Sequence, residues 1–145
     1  PAREFQRRRL SVDEITDLWQ PLIARLKRHS PELRIVFTIS PRRHFKDGAH
    51  GNTLSKATLH LATDMLTCLC PGTEYFPAYE LLVDDLRDYR FYAADMLHPS
   101  DVAADYVWQH FTATYFTTGG RAELARRAAA IRASRHRPIT GGNSL

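Results

Sequence analysis

Asp95-Met96-Leu97-His98-Pro99-Ser100 places a carboxylate and an imidazole three positions apart, just before a proline and a serine that can start a helix. Histidine titrates near neutrality and suits proton transfer. An aspartate bonded to one ring nitrogen fixes the tautomer and stabilises the imidazolium, which is the proton-handling half of a nucleophilic triad. The other half is not evident. The sequence has no Gly-x-Ser-x-Gly, no Gly-Asp-Ser and no Cys near a predicted oxyanion hole. Ser40 follows a strand candidate, but Pro41 removes the backbone N–H that would serve as the oxyanion donor, so Ser40 reads as a pocket-wall or turn residue. Arg43, His44, Lys46 and Asp47 form a basic loop that can meet an anionic group. Only His44 and Asp47 are metal-type donors there, so no metal is expected, and no cofactor is called for.

The secondary-structure elements must hold these residues. Ser11 with Glu14 forms a capping-box pattern, and Val12, Ile15, Leu18, Trp19, Leu22, Ile23 and Leu26 recur at helical spacing. Pro21 interrupts them and predicts a kink or a split. Leu33 to Ile39 is short, β-branched and nearly all apolar, the pattern of a strand buried on both faces. Ser40-Pro41 ends it, and the Arg42–Gly51 loop leaves its carboxyl end, where open α/β sheets place ligand sites. Asn52 or Thr53 is the expected cap of a second helix reaching about Cys70. Thr73–Phe76 is a second strand, closed by Pro77, and Ala78–Asp84 gives one or two helical turns. The run Asp84-Asp85-Leu86-Arg87-Asp88-Tyr89-Arg90 is expected to pair its charges internally. Ser100 caps a further helix, which Gly119-Gly120 is expected to break. Trp19 and Trp108 sit on helix faces as core candidates. Helix alternating with strand argues for α/β and a parallel sheet, although two strands cannot complete one.

The composition is that of an ordinary globular protein: 145 residues, 43% hydrophobic and 25% charged. No apolar run spans a bilayer, and the start, Pro1 to Arg9, lacks the apolar core of a secretory signal. The two cysteines, Cys68 and Cys70, are too close for an unstrained bridge and lack a second pair for zinc. They read as small buried side chains, and a reducing, cytoplasmic setting fits. The net charge of +4 is uneven: six arginines after residue 116 face only Glu123. Without interleaved aromatic residues that basic tail reads as a solvated helix, and nucleic acid is disfavoured as a partner.

Taken in order, Phe37-Thr38-Ile39-Ser40-Pro41, Arg43-His44-x-Lys46-Asp47-Gly48, Asn52-x-Leu54-Ser55-Lys56, Tyr75-Phe76-Pro77-x-Tyr79-Glu80, and Asp84 through Tyr92 leading to Asp95-Met96-x-His98-Pro99-Ser100 resemble the GSCFA-domain proteins of bacteria. That family looks like a branch of the SGNH (GDSL-type) hydrolases, which have a flavodoxin-like α/β/α three-layer fold, and many of which act on esters or acylated carbohydrates. The resemblance implies that Asp95 and His98 are catalytic and that Ser40, Arg43 and His44 line the substrate pocket. The Gly-Ser-Cys-Phe-Ala motif that names the family, whose Ser would be the nucleophile, does not occur in this sequence. The expectation is therefore the C-terminal part of such a domain over residues 1–116, a basic helical extension over 117–136 and a disordered tail over 137–145. The expected partners are a small-molecule or carbohydrate ester and the N-terminal part of the same domain, with no membrane. The alternative is a non-catalytic sugar- or anion-binding module.

Overall fold

The computed structural model of the protein describes residues 8–135. The expected tail over 137–145 and the first seven residues lie outside that range. The chain divides into two units, one running to Val107 and the other from Trp108.

The first unit opens with α1 (Val12–His29). Its capping box is formed: the Ser11 hydroxyl accepts from the Glu14 N–H at 3.1 Å, and the Glu14 carboxylate accepts from the Ser11 N–H at 2.8 Å. Acidic residues occupy its first turn and basic residues its last, as the helix dipole favours. Pro21 lies within one continuous helix, so α1 is not split there. Pro21 and Asp17 are both exposed, so water can take the Asp17 carbonyl that loses its helical donor.

β1 (Ile35–Thr38) and β2 (Thr73–Phe76) pair in parallel, with Ile35 beside Thr73 and Thr38 beside Phe76. They are joined by α2 (Gly48–Leu69), which packs on both α1 and β2. This is a βαβ unit, and the protein is an α/β chain rich in helix. Two strands form the whole sheet among the described residues. The strand expected over Leu33–Ile39 is shorter, and it is not buried on both faces: Ile35, Val36 and Phe37 are only half-buried and Thr38 is exposed. A two-stranded sheet lacks the further strands and second helical layer that would cover them. The core lies between sheet and helices, at Ile23, Ile39, Ala62, Leu66, Phe76, Leu81 and Leu82.

A 3-10 turn (Phe45–Asp47) leads into α2, which begins at Gly48 and not at the expected Asn52 or Thr53. Asn52 serves the loop instead: its side-chain oxygen accepts the His44 N–H at 2.9 Å. Cys68 is exposed near the end of α2, unlike the small buried side chain expected, and Cys70 is half-buried. After β2, α3 (Ala78–Glu80) passes into a π-helical turn (Leu81–Leu86). That turn closes when the Arg87 N–H donates to the Leu82 carbonyl, with Arg87 in the left-handed region at φ 49°.

A second 3-10 turn (Tyr89–Phe91) precedes the Asp95–His98 turn, and α4 (Asp101–Tyr115) follows it. The Ser100 hydroxyl accepts the Ala103 N–H at 3.3 Å at the start of α4. In the second unit, α5 (Thr118–Arg135) begins before Gly119-Gly120. The break lies at Phe116–Thr117, because the Thr117 hydroxyl accepts the Gly120 N–H at 3.1 Å and caps the new helix through the two glycines. Trp19 and Trp108 are 39% and 50% exposed, so neither is the core residue expected. Trp19 rests its edge on Phe37, with ring centroids 5.2 Å apart.

Candidate active site

Asp95 is held by its own backbone. One carboxylate oxygen accepts the N–H groups of Leu97 (2.9 Å) and His98 (3.0 Å), and the other meets His98 Nδ1. An aspartate that bonds two and three residues ahead forms a local turn without tertiary help. Met96 takes φ 60° at the apex of that turn. The backbone N–H bonds from His98 and Leu97, reinforced by the imidazole, hold the Asp95 carboxyl far below the usual carboxylate range. The pair is open to solvent, with side chains 45% and 47% exposed. A carboxylate at Nδ1 assigns the proton to that nitrogen and leaves Nε2 as the acceptor. Nε2 has no hydrogen-bond partner among the described residues.

Backbone bonds fasten this turn to the rest of the unit. Tyr92 and Pro99 form an isolated antiparallel bridge, with Ser100 N–H donating to Phe91 carbonyl and Ala93 N–H to His98 carbonyl, both at 2.8 Å. Across the sequence, the Arg43 N–H donates to the Leu97 carbonyl at 2.9 Å. The loop from the carboxyl end of β1 is thereby tied to the peptide that carries His98.

The three residues expected to line a pocket lie on this loop but do not share one cavity. Ser40 is a turn residue, as its type and position suggested: its hydroxyl accepts the Arg42 N–H at 3.2 Å, and its carbonyl accepts from Lys56. Arg43 lays its guanidinium against two rings, 4.3 Å from the centre of Tyr92 and 4.8 Å from that of Tyr89. The three line a cavity of about 90 Å³ with Leu82, Val83, Arg87 and Asp88. His44 instead lines an open cleft of about 680 Å³ with residues that include Arg9, Trp19, Asp47 and Ser55. Neither cavity is lined by Asp95 or His98. Two residues that line the smaller one, Tyr92 and Arg43, are each bonded through their backbones to the Asp95–His98 turn and its flank.

A polar group that residue spacing did not single out forms where β2 meets α2 and α3. The Tyr75 hydroxyl donates to Glu80 at 2.8 Å, and His60 Nδ1 lies 3.6 Å from the other Glu80 oxygen. Burial, helped by the Glu80 charge, pushes the Tyr75 hydroxyl well above its usual range. Lys56 lies 6.0 Å from the centre of the Tyr79 ring, and burial lowers its ammonium from the usual value. Tyr75, Tyr79, Glu80 and Lys56 all fall in the segments quoted above, so a signal existed. Tyr75, Tyr79 and Glu80 are close in sequence, but their meeting with Lys56 depends on how α2 packs on β2, which sequence spacing does not show. The expected ion-pair run is only partly formed: Arg90 meets Asp88 at 3.6 Å, and Tyr106 donates to Asp85 at 3.3 Å.

Among the described residues no group of three or more His, Cys, Asp or Glu is placed to hold a metal ion, and no helix is long and apolar enough to cross a membrane. No curated protein and no solved structure matches the chain. The family model for the GSCFA family matches residues 1–111, which contain the Asp95–His98 turn, the Arg43 loop and the βαβ unit that carries them. The chain belongs to the GSCFA family.

Proposed function

We propose that Asp95 and His98 are the proton relay of a serine hydrolase or acyltransferase of the SGNH type, acting on an ester that includes acylated carbohydrates among its candidates. The observation that carries this reading is the Asp95–His98 contact. The carboxylate is locked by two backbone N–H groups, so it orients the ring and does not follow it. Nε2 then takes the proton of an attacking hydroxyl and returns it to the leaving alkoxide, while Asp95 stabilises the imidazolium between the two steps.

The nucleophilic serine comes from outside these 145 residues, and the βαβ unit is a portion of a three-layer α/β/α domain. Support comes from family membership, from the parallel pair, and from the exposed apolar faces of α1 and α2, including Leu18, Leu22, Leu61 and Leu69. The test is hydrolysis of phenyl acetate by the 145 residues alone and by the complete gene product. His98-dependent turnover is expected only from the complete product. An H98A-sensitive activity in the 145 residues alone would show that the serine lies within this chain.

A further inference from the structure

Arg43 is a cation without an anion. Its guanidinium is half-buried against Tyr89 and Tyr92, and among the described residues no carboxylate pairs with it. The acid in the same cavity, Asp88, is engaged by Arg90 at 3.6 Å and by the Arg90 backbone N–H. Arg87, the second cation of the cavity, likewise has no acidic partner. The guanidinium also hydrogen-bonds to Tyr89 and Tyr92, and of its five N–H donors those left over lie in the planar fork that matches a carboxylate. The cavity of about 90 Å³ holds roughly three waters' share of liquid volume, the size of one small planar group. Leu82 and Val83 offer apolar wall for the carbon that such a group hangs from.

We propose that Arg43, clamped by Tyr89 and Tyr92, binds a carboxylate carried by the substrate. This deepens the hydrolase reading and rests on it. The Arg43 N–H bonded to the Leu97 carbonyl ties the residue that carries this guanidinium to the peptide of His98. The substrate class becomes an ester whose acyl or alcohol part bears a free carboxylate. Arg43 supplies binding and register, and the relay supplies the proton.

The experiment titrates the labelled 145-residue chain with acetate, acetamide and inorganic phosphate while following arginine Nε–H resonances by NMR, with the Arg43 signal assigned through R43K. The expected result is a saturable shift of the Arg43 signal with acetate and none with acetamide. Acetate affinity, read in R43K from the Nε–H signal of Arg87 in the same cavity, should fall at least about tenfold, and in H98A the Arg43 signal should report an unchanged affinity. Absence of a saturable acetate shift, equal affinity in R43K, or saturation by phosphate alone would each overturn the assignment. The two readings fail separately, because acetate binding does not involve the imidazole and the Asp95–His98 contact does not use the Arg43 side chain.

Discussion

The Asp95–His98 turn is a local construction, which is why four consecutive positions sufficed to suggest it. An aspartate that accepts the N–H groups two and three residues on brings a histidine at the third position back onto its own carboxylate. Asp95 should therefore decide which ring nitrogen of His98 carries the proton. In wild type, imidazole nitrogen shifts at neutral pH should report Nδ1–H. In D95N the side-chain amide can present its NH2 to the ring, so the population should move toward Nε2–H. An unchanged tautomer ratio would mean that the carboxylate does not orient the ring. Arg43 was legible only as a cation on a loop. Its stacking on Tyr89 and Tyr92 joins residues more than forty positions apart, and no local pattern encodes that.

At the scale of elements, strand composition was informative and helix boundaries were less so. The β-branched run at Ile35–Thr38 and the Pro77 stop at β2 were readable because strand propensity and proline chemistry act locally. Pro21 does not split α1, because its cost depends on whether the freed carbonyl meets water. Gly119-Gly120 misled because the Thr117 cap outweighs glycine's weak helix preference. The parallel register places Thr38 beside Phe76 and so gathers the Ser40 loop and the Tyr75–Glu80 group at one end of the sheet. Burial makes a contrast in α2 testable. Leu66 is 2% exposed and Leu61 is 61% exposed on the same helix. Leu66→Ala should cost about 2–5 kcal/mol in urea melts, and Leu61→Ser should stay within about 0.5 kcal/mol. Comparable losses at the two positions would mean that the α2 face carrying Leu61 is also covered.

For the whole molecule, α/β alternation was legible, and so was the lack of a Gly-x-Ser-x-Gly or Gly-Asp-Ser motif to accompany Asp95 and His98. Acid stability follows from two carboxylates held below their usual ranges. Glu14 is lowered to about 2, first by Arg8 and then by the Ser11 N–H. Asp95 is lowered further by its two backbone donors and His98. In each case the unfolded chain binds the proton more readily than the folded one. Their contributions are present above the ordinary carboxylate range and are lost as pH falls through the folded values. Unfolding free energy should thus decline from about pH 4.5 toward 2, and E14Q should flatten that decline. A decline of equal steepness in E14Q would assign it to other acids.

The central claim is that His98 moves the proton in ester turnover. The most direct measurement is kcat and KM for phenyl acetate in the complete gene product, wild type against H98A. The account predicts a fall in kcat of about 10,000-fold, with KM little changed. Wild-type kcat in H98A, with the protein folded, would contradict it.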